Sequence, residues 1–512
     1  MTVSNLRIIG YCEKTESDIK VMIEEGKSNR LLEMRGEFTL IYTSDLFDMI
    51  ITSYVGAMQY CYYYDGKTFL HATTIIEIIK RLGLNWVWDW DALGDLCELE
   101  NLTENRTLHR YIKKIPPGTI LRFDGRLSMH SSKLIDTFDN QSITDPIEAL
   151  DIFNKETSFW SSSKPFLSLS GGFDSRTILS SMIRQNIYPT LVTLGEDGCS
   201  DIEVSKKIAD YFDLDHITVN LEFDELMEKG EYIAKITNGS KPACHWHTYL
   251  YPRKAGVPKN ESFFVGTLGE FARSYYFDRG MIGVILDQTG SRGQTLFWRS
   301  KLNRHRTFRE SELGYLSPDL SNQLNNKGLE TRAKKNAKIA RGGVLFGGTR
   351  YYLEQRVPNF YANGVTMYND TTRWRSPFHN IEWLRIVWNL HENWKLGSNW
   401  HRLAIRKNCP SLLNFTEEKG FLEGKMLGKA PPLYWSPIMQ RVKYKSYDLS
   451  EKWYKEGVVQ DFIMDCYSYL DDLCERKLVE KVLKDHKDGD QRVRAISFLL
   501  TMIYFKKALT HA

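Results

Sequence analysis

Residues 166–182 read FLSLSGGFDSRTILSSM, and the stretch changes character in its middle. The segment 166–169 is mostly apolar, which predicts a short buried strand, while the apolar spacing from Thr177 predicts a helix. The turn at 170–175 holds two adjacent glycines and three small polar side chains. Glycines let the backbone approach a ligand closely, and the amides of a turn that opens a helix favour an anion. The stretch therefore predicts a strand–turn–helix unit whose turn can hold a phosphate.

Asp174 decides which kind of anion this turn would accept. A carboxylate repels a bare anion, but a divalent cation can bridge it to phosphate oxygens. The turn thus fits a pyrophosphate–magnesium unit, to which Ser170 and Ser175 would add hydroxyl donors. The alternative is an ordinary strand–helix turn in which Asp174 caps the helix. The spacing of the residues leaves both interpretations open.

Strand–helix alternation continues beyond this turn. The runs PTLVTLG, HITVN and SFFVGTLGE each precede a helical pattern. Such alternation predicts a parallel sheet with helices on both faces, in which ligands bind beyond the C-terminal ends of the strands. Residues before 138 instead show short strand-like runs with one helix and a Pro-Pro-Gly turn, which is typical of an α+β layer of antiparallel hairpins. The polar stretch 136–146 lies between the two patterns, so we predict domains at 1–140 and 146–512.

Composition narrows the class of protein. The chain has 512 residues, 42% hydrophobic residues and a formal net charge of only +4, so no overall field calls for a nucleic acid or a membrane. Its longest apolar runs are too short to span a bilayer, and we expect a cytoplasmic protein. Eight scattered cysteines without a C-x-x-C pair argue against disulfides and a structural zinc site. The basic segment 292–341 is more typical of a solvated helix face than of a nucleic-acid site.

Several motifs together resemble one enzyme family. SGGFDS is similar to the signature of the PP-loop ATP pyrophosphatases, and its surroundings resemble the asparagine synthetase B branch, which includes β-lactam synthetases and lasso-peptide cyclases. The segments LVTLGEDGCSDIEVSKKIADYFDLDHITV, FFVGTLGE and RWRSPFHN follow in the family's order. Upstream, LLEMRGEFTLIYTSD and LHRYIKKIPPGTILRFDG resemble the second half of its N-terminal glutamine-amidotransferase domain. The resemblance implies an α/β fold: a doubly wound parallel PP-loop synthetase domain after a truncated, α+β, class II amidotransferase-like (Ntn) domain.

The resemblance also implies site residues. Magnesium would bind Asp174 and Glu270, and a lysine of a late flexible loop, Lys419, would neutralise charge on the pyrophosphate, with Lys425 and Lys429 as rivals. Asn380 replaces the family aspartate of the PFHN segment, so Glu382 is the nearest candidate for activating an amine. The residues implied to bind ATP are Ser168, Ser170, Gly171, Gly172, Asp174, Ser175, Leu194, Gly195, Val265 and Gly266.

Two departures from the family pattern affect the expected chemistry. Residue 2 is Thr where the family's glutaminase has its nucleophilic cysteine, and the chain reaches MRGEFTLIY by Met34 without the family's glutamine-holding segments. We therefore expect a degenerate amidotransferase domain that does not hydrolyse glutamine. In addition, Thr267 replaces a glutamate of the family's acceptor pocket, which argues against aspartate as the substrate.

The sequence thus predicts an ATP- and magnesium-dependent ligase that adenylates a carboxylate and transfers it to an amine from a source other than glutamine. Its partners would be small-molecule or peptide carboxylates and amines, with a homodimer possible. The alternatives are a lasso-peptide-type macrolactam cyclase, an ammonia-dependent amidating enzyme, a tRNA-modifying PP-loop enzyme and a non-catalytic scaffold. The segment CHWH, 244–247, could bind a metal but is more typical of packing at a helix start or of a substrate pocket.

Overall fold

The computed structural model describes residues 4–138, 143–273, 275, 290–395, 398–416 and 448–511. Its strands are β1 Asn5–Cys12, β2 Gly36–Thr43, β3 Asp48–Thr52, β4 Cys61–Tyr64, β5 Phe69–Ala72, β6 Ile112–Lys114, β7 Thr119–Phe123, β8 Leu127–Ser131, β9 Phe166–Ser168, β10 Thr190–Leu194, β11 His216–Val219, β12 Ser262–Phe264 and β13 Arg373–Arg375.

The first eight helices are α1 Glu16–Glu24, α2 Ile75–Leu82, α3 Trp90–Leu99, α4 Pro146–Trp160, α5 Phe173–Arg184, α6 Ser200–Phe212, α7 Phe223–Ile236 and α8 His247–Lys254. Later α-helices span Gly290–Arg304, Pro318–Leu324, Asn326–Ile339, Gly343–Tyr351, Ala362–Thr371, Ile381–Trp388, Glu392–Lys395, Asn399–Asn408, Leu449–Trp453, Gly457–Asp465, Arg476–Lys487 and Val493–Thr510. Tyr352–Tyr361 is a π-helix.

The central element is a five-stranded sheet in the order β11-β10-β9-β12-β13, and every neighbouring pair is parallel. The order of strands reverses between β9 and β12, because the chain first moves outward through β10 and β11 and then returns to the other side of β9. In doubly wound sheets, ligands bind at such a reversal, beyond the C-terminal strand ends. The predicted parallel sheet is confirmed, and the turn at 170–175 follows one of the two central strands.

Two antiparallel sheets lie in the first 131 residues, with strand orders β1-β2-β3-β7-β8 and β5-β4-β6. The strand-like runs predicted there are therefore confirmed, whereas the domain division at 140–146 stays a prediction. These sheets are tied to the later part of the chain by buried contacts. The Arg375 guanidinium lies 4.0 Å from the centroid of the Tyr11 ring, and His379 Nδ1 lies 3.4 Å from Glu37 Oε2. Burial lowers the pKa of Arg375 to about 10.

Local sequence signals explain where several elements begin and end. Thr74 caps α2 through its side chain, which accepts from the amide of Glu77, and Gly83 ends the helix in the left-handed region. Asp145 caps α4 with proline as the next residue, a position where the missing N–H is not needed. α4 is the last helix before β9, and it packs against α5, which follows that strand.

The π-helix Tyr352–Tyr361 contains Pro358, which cannot donate a backbone hydrogen bond. A wider helical turn tolerates this loss, and such segments occur frequently at functional sites.

All eight cysteine thiols are free. Among the described residues, no helix has the length and apolarity that crossing a membrane requires.

Candidate active site

The turn at 170–175 joins β9 to α5 and is held by its own small side chains. The Ser175 hydroxyl accepts from the amide of Ser170 at 3.1 Å, and the Ser170 hydroxyl accepts from the amide of Gly172 at 3.2 Å. Gly172 is the N-cap of α5 and has no side chain to cover the first amides. The amide of Gly171 donates to Asp201 Oδ1 at 2.7 Å, so an anionic oxygen already fits against this amide. The turn therefore presents the helix start to a negatively charged group.

A second loop, which follows β12, packs against Asp174 of this turn. A Cβ on Gly269 would lie 2.7 Å from Asp174 Cγ, and one on Gly266 would lie 3.0 Å from Asp174 Cβ. A side chain at 269 would therefore displace the carboxylate of Asp174, and one at 266 would crowd the backbone of α5 at Asp174 and Ser175. Between them Leu268 has φ of 76°, a left-handed conformation that leucine rarely adopts. Such local strain is concentrated at functional sites, and here the two loops meet at the reversal of strand order.

Two nitrogen-containing side chains, Arg273 and His401, contact the carboxylate of Asp174. Arg273 Nη2 is 3.1 Å from Asp174 Oδ2, and His401 Nε2 is 3.0 Å from Asp174 Oδ1. Burial opposes ionisation of this carboxyl, but Arg273 and His401 outweigh it and hold the pKa of Asp174 below its usual range. The side chain is 18% exposed. Asp174 is thus a largely buried, ionised carboxylate that keeps some exposure to solvent.

Glu270 lies beside Asp174 on the second loop. Its two carboxyl oxygens accept from Tyr352 at 3.0 Å and Tyr361 at 2.9 Å, the two ends of the π-helix. Arg273 also approaches it, with Nη2 3.8 Å from Oε1. Burial and the neighbouring Asp174 raise the pKa of Glu270 above its ordinary value, against the opposing effects of Arg273 and Tyr361. Two carboxyl groups thus share one small, buried space.

This pair suits a divalent cation. Magnesium prefers oxygen ligands and keeps several of its waters, so one or two carboxylates together with substrate phosphates suffice to hold it. A cation between Asp174 and Glu270 would also relieve the repulsion that raises the pKa of Glu270. Arg273 contacts both carboxyl groups, so a bound cation would have to replace these contacts. The oxygen donor set itself fits magnesium.

Arg176 connects this turn to a distant part of the chain. The side chain is fully buried and donates from Nη2 to the carbonyls of Gly171, at 2.8 Å, and Thr416. Its Nη1 donates to the carbonyl of Phe415 at 3.0 Å. The chain therefore passes close to the turn just before residue 417. Lys419, Lys425 and Lys429 lie outside the described residues.

The other implied ATP-binding residues follow adjacent strands. Ser168 ends β9 and Leu194 ends β10, while Val265 comes directly after β12, so all three lie at the C-terminal edge of the sheet. The Ser168 hydroxyl accepts from Tyr251 at 2.8 Å. A Cβ on Gly195 would lie 2.6 Å from Cys199 Sγ, so the backbone there is closely packed. The structure thus brings the implied residues to one edge of three neighbouring strands.

Glu382 and Asn380 occupy the start of the helix Ile381–Trp388. Asn380 is the N-cap and accepts from the amide of Trp383, while its Nδ2 donates to Glu156 at 2.8 Å. Burial raises the pKa of that glutamate. Glu382 is exposed and forms no hydrogen bond or ion pair with a described residue. Asn380 therefore stabilises the start of this helix. The role of Glu382 in activating an amine stays a prediction.

Sequence reasoning missed five residues that surround the carboxylates or hold the turn. Only two of them carried a local signal: Arg176 directly follows SGGFDS, and Arg273 stands three residues after Glu270. The remaining three come from segments without a recognisable motif: Tyr352, Tyr361 and His401.

The comparison with protein families gives one match. Residues 163–251 match the family described as asparagine synthase. The matched range runs from just before β9 to within α8 and so includes the turn at 170–175, α5 and the next two strands. No curated protein matches the chain. The matched part thus resembles ATP-dependent ligases of the asparagine synthetase type.

Proposed function

We propose that this protein is an ATP-dependent, AMP-forming amide synthetase. The observation that carries the proposal is the meeting of Asp174 and Glu270 where the sheet reverses its strand order, on loops that need glycine for their approach. The match of residues 163–251 to the asparagine synthase family supports the same class of reaction. The implied carbon–nitrogen ligase chemistry begins with a substrate carboxylate that attacks the α-phosphorus of ATP.

The chain's own groups have distinct tasks in this reaction. The backbone amides at the start of α5, after Gly172, would orient the phosphates. A phosphate at Gly171 would have to replace Asp201, which accepts from that amide. Asp174 and Glu270 would hold magnesium, which neutralises charge on the departing pyrophosphate when it is bound. An amine would then attack the acyl-adenylate, and AMP would leave. Because the expected nucleophile is not ammonia from glutamine, the amine would belong to the substrate or to a second molecule.

Lys419 is the proposed loop lysine, and chain length allows this role. It stands three residues beyond Thr416, whose carbonyl accepts from Arg176 beside the turn. Three extended residues span about 10 Å. A lysine at this point of the sequence is therefore within reach of a pyrophosphate bound at the turn, where its charge would stabilise the transition state.

We propose that the carboxylate substrate is a small molecule or a peptide rather than aspartate. The support for this is Thr267, which stands where the resembled family has a glutamate of its acceptor pocket.

Pyrophosphate exchange tests the adenylation step without knowledge of the amine. Labelled pyrophosphate is incubated with the full chain, magnesium, ATP and a panel of amino acids, aryl carboxylates and short peptides. The proposal predicts that at least one carboxylate drives label into ATP, and that hydroxylamine converts the same carboxylate into a hydroxamate. Label entering ATP without any carboxylate, or hydroxamate formation that Asp174→Asn leaves unchanged, would contradict it.

A further inference from the structure

A second cluster of ligand-type side chains lies away from the carboxylate pair. Glu100 directly follows α3, and Cys244 and His245 belong to the short 3-10 turn Ala243–His245. One ligand atom from each of the three side chains lies within 4.8 Å of the other two. We propose that Glu100, Cys244 and His245 form a zinc site that joins the N-terminal part of the chain to the parallel-sheet part.

The imidazole of His245 has a ring nitrogen without a partner, which supports a bound metal ion at this place. Its Nε2 atom is buried and has no hydrogen-bond partner among the described residues. Buried polar atoms are nearly always paired, because an unpaired one loses its hydration without compensation. The ring packs edge-on against Phe360, with centroids 5.1 Å apart, and this contact fixes its orientation without offering a hydrogen bond. A metal ion would satisfy such a nitrogen.

The backbone that carries the cluster is already fixed. The amide of Ala243 donates to Thr501 at 2.9 Å, and the amide of Cys244 donates to Ser497 at 2.9 Å, so the turn is held against the helix Val493–Thr510. Glu100 ends α3 with φ of 59°, a left-handed conformation that costs energy for a residue other than glycine. The three side chains therefore start from positions that need little ordering before an ion binds.

The ligand types favour zinc over other divalent ions. A thiolate is a soft ligand that magnesium and calcium avoid, an imidazole is the commonest nitrogen ligand of zinc, and a carboxylate completes a mixed set. Three protein ligands plus one water give the tetrahedral arrangement that zinc adopts in open sites. A thiolate and a carboxylate together balance the charge of Zn²⁺, while Lys241, Arg356 and Arg494 add positive charge near His245. Arg494 Nη2 lies 3.5 Å from Glu100 Oε2, and the carboxylate's other oxygen can serve a metal.

The position of the cluster suggests what a bound ion would do. Glu100 comes from the part of the chain that precedes α4, whereas Cys244 and His245 lie between α7 and α8 beside the parallel sheet. A zinc ion would cross-link these parts and hold the turn on Phe360 of the π-helix. This role needs neither ATP nor the carboxylates at 174 and 270. An experiment that disproves the zinc site therefore leaves the proposed reaction untouched, and the reverse also holds.

The test uses the full chain, stripped with a chelator and reloaded with zinc alone. We expect one tightly held zinc per chain by elemental analysis and a higher melting temperature in the zinc-loaded protein. Cobalt in place of zinc should give the absorption of a thiolate-bound tetrahedral ion. Cys244→Ser, His245→Gln and Glu100→Gln should each weaken zinc binding by more than about a hundredfold, beyond the 10- to 100-fold cost of losing an outer-shell partner. Cys244→Ser should also abolish the cobalt–thiolate band.

Cys474→Ser is the matched control. Cys474 is another buried thiol beside an acidic residue, Asp472, but it belongs to no group of three metal-ligating side chains in the described part of the chain. Its substitution should leave zinc binding and the cobalt spectrum unchanged. The proposal is overturned if the folded wild-type chain retains no zinc, if its cobalt form lacks the thiolate band, or if the three ligand variants bind zinc as tightly as the control.

Discussion

At the scale of single residues, the candidate site depends on where two carboxyl groups meet. Asp174 is held ionised by Arg273 and His401, whereas Glu270 is pushed towards its neutral form by burial and by Asp174. Neighbouring carboxyl groups whose pKa values are driven apart are characteristic of functional sites. The pair therefore allows two predictions, one on charge and one on pH.

The first prediction concerns the charge of Asp174. Asp174→Asn preserves the shape of the side chain but removes the charge that would bind magnesium, so we expect turnover to fall at least about a hundredfold. Steady-state kinetics with the active carboxylate measure this. Asp224→Asn is a suitable control, because it also removes an acid from the first turn of a helix but on an exposed surface. Turnover close to that of the control would mean that the charge of Asp174 takes no part in the reaction.

The second prediction concerns Tyr361, whose hydroxyl donates to Glu270. This hydrogen bond stabilises the ionised carboxyl and lowers its pKa, so Tyr361→Phe should raise that pKa further. Because magnesium needs the ionised form, the acid limb of kcat/KM should move to higher pH. Tyr467→Phe removes a hydroxyl that donates to the carbonyl of Cys474 and is not a partner of Glu270, so it should not move the limb. An acid limb that stays in place in Tyr361→Phe would show that Glu270 is not ionised in the reaction.

At the scale of elements, loops from β9 and β12 and both ends of the π-helix surround the same point. Arg176 adds the segment before residue 417 to this assembly by donating to the carbonyls of Gly171, Phe415 and Thr416. A planar guanidinium can serve carbonyls on different segments at once, whereas an ammonium group cannot reach them in the same geometry. Arg176 thus holds the segment that ends at Thr416, three positions before Lys419 in the sequence.

The third prediction compares two arginines on α5. Arg176→Lys should lower the free energy of unfolding by at least about 2 kcal/mol, because buried hydrogen bonds to a charged group are lost. Arg184→Lys changes an arginine that bonds the carbonyl of Lys407 on the exposed surface, and its effect should stay within about 0.5 kcal/mol. Urea unfolding of both variants measures the difference. Equal losses of unfolding free energy in the two variants would show that Arg176 does not hold these segments together.

At the scale of the whole molecule, the antiparallel sheets and the parallel sheet share buried contacts. The amide of Ile75 donates to Asn238 at 2.8 Å, the ammonium of Lys114 bonds Asn359, and Tyr11 packs on Trp374 with centroids 5.2 Å apart. Burial lowers the pKa of Lys114 to about 7. These contacts indicate that the N-terminal sheets contribute to packing of the parallel sheet; the expected loss of glutamine hydrolysis stays a prediction.

The fourth prediction tests this packing role. Residues 143–512 expressed alone would expose Trp374 and leave Asn238 and Asn359 without their partners, so we expect aggregation. Co-expression with residues 1–142 should restore soluble protein that elutes as a complex. If the separate piece is monomeric and melts at the temperature of the full chain, the N-terminal layer is dispensable for folding.

Elution of the full chain at twice its mass would support the predicted homodimer.

The sequence predicted the sheet and the turn because both depend on local patterns. Strand and helix periods alternate from Phe166 onward, and the glycines with small polar residues at 170–175 demand a close backbone approach. Glu270 was found because FFVGTLGE resembles a family loop. Thr2 and the loop lysines lie outside the described residues, so their roles stay predictions.

The rest of the site could not be predicted because it is assembled from distant segments. His401 comes to Asp174 across 227 positions of the chain, and nothing in its neighbours marks it. Tyr352 and Tyr361 both reach Glu270 because a π-helix separates them by two wide turns. A proline inside the segment is unfavourable for an ordinary α-helix, so local propensity does not predict this geometry. Long-range packing, rather than local propensity, decides these positions.

The products of ATP cleavage test the central claim most directly. With the carboxylate that drives pyrophosphate exchange, an amine and magnesium, ³¹P NMR of the reaction should show AMP and pyrophosphate in equal amounts, each matching the amide formed. Removal of magnesium should stop the reaction. If the chain instead releases ADP and phosphate with the amide, the turn at 170–175 activates the γ-phosphate, and the account of this protein as an adenylating synthetase is wrong.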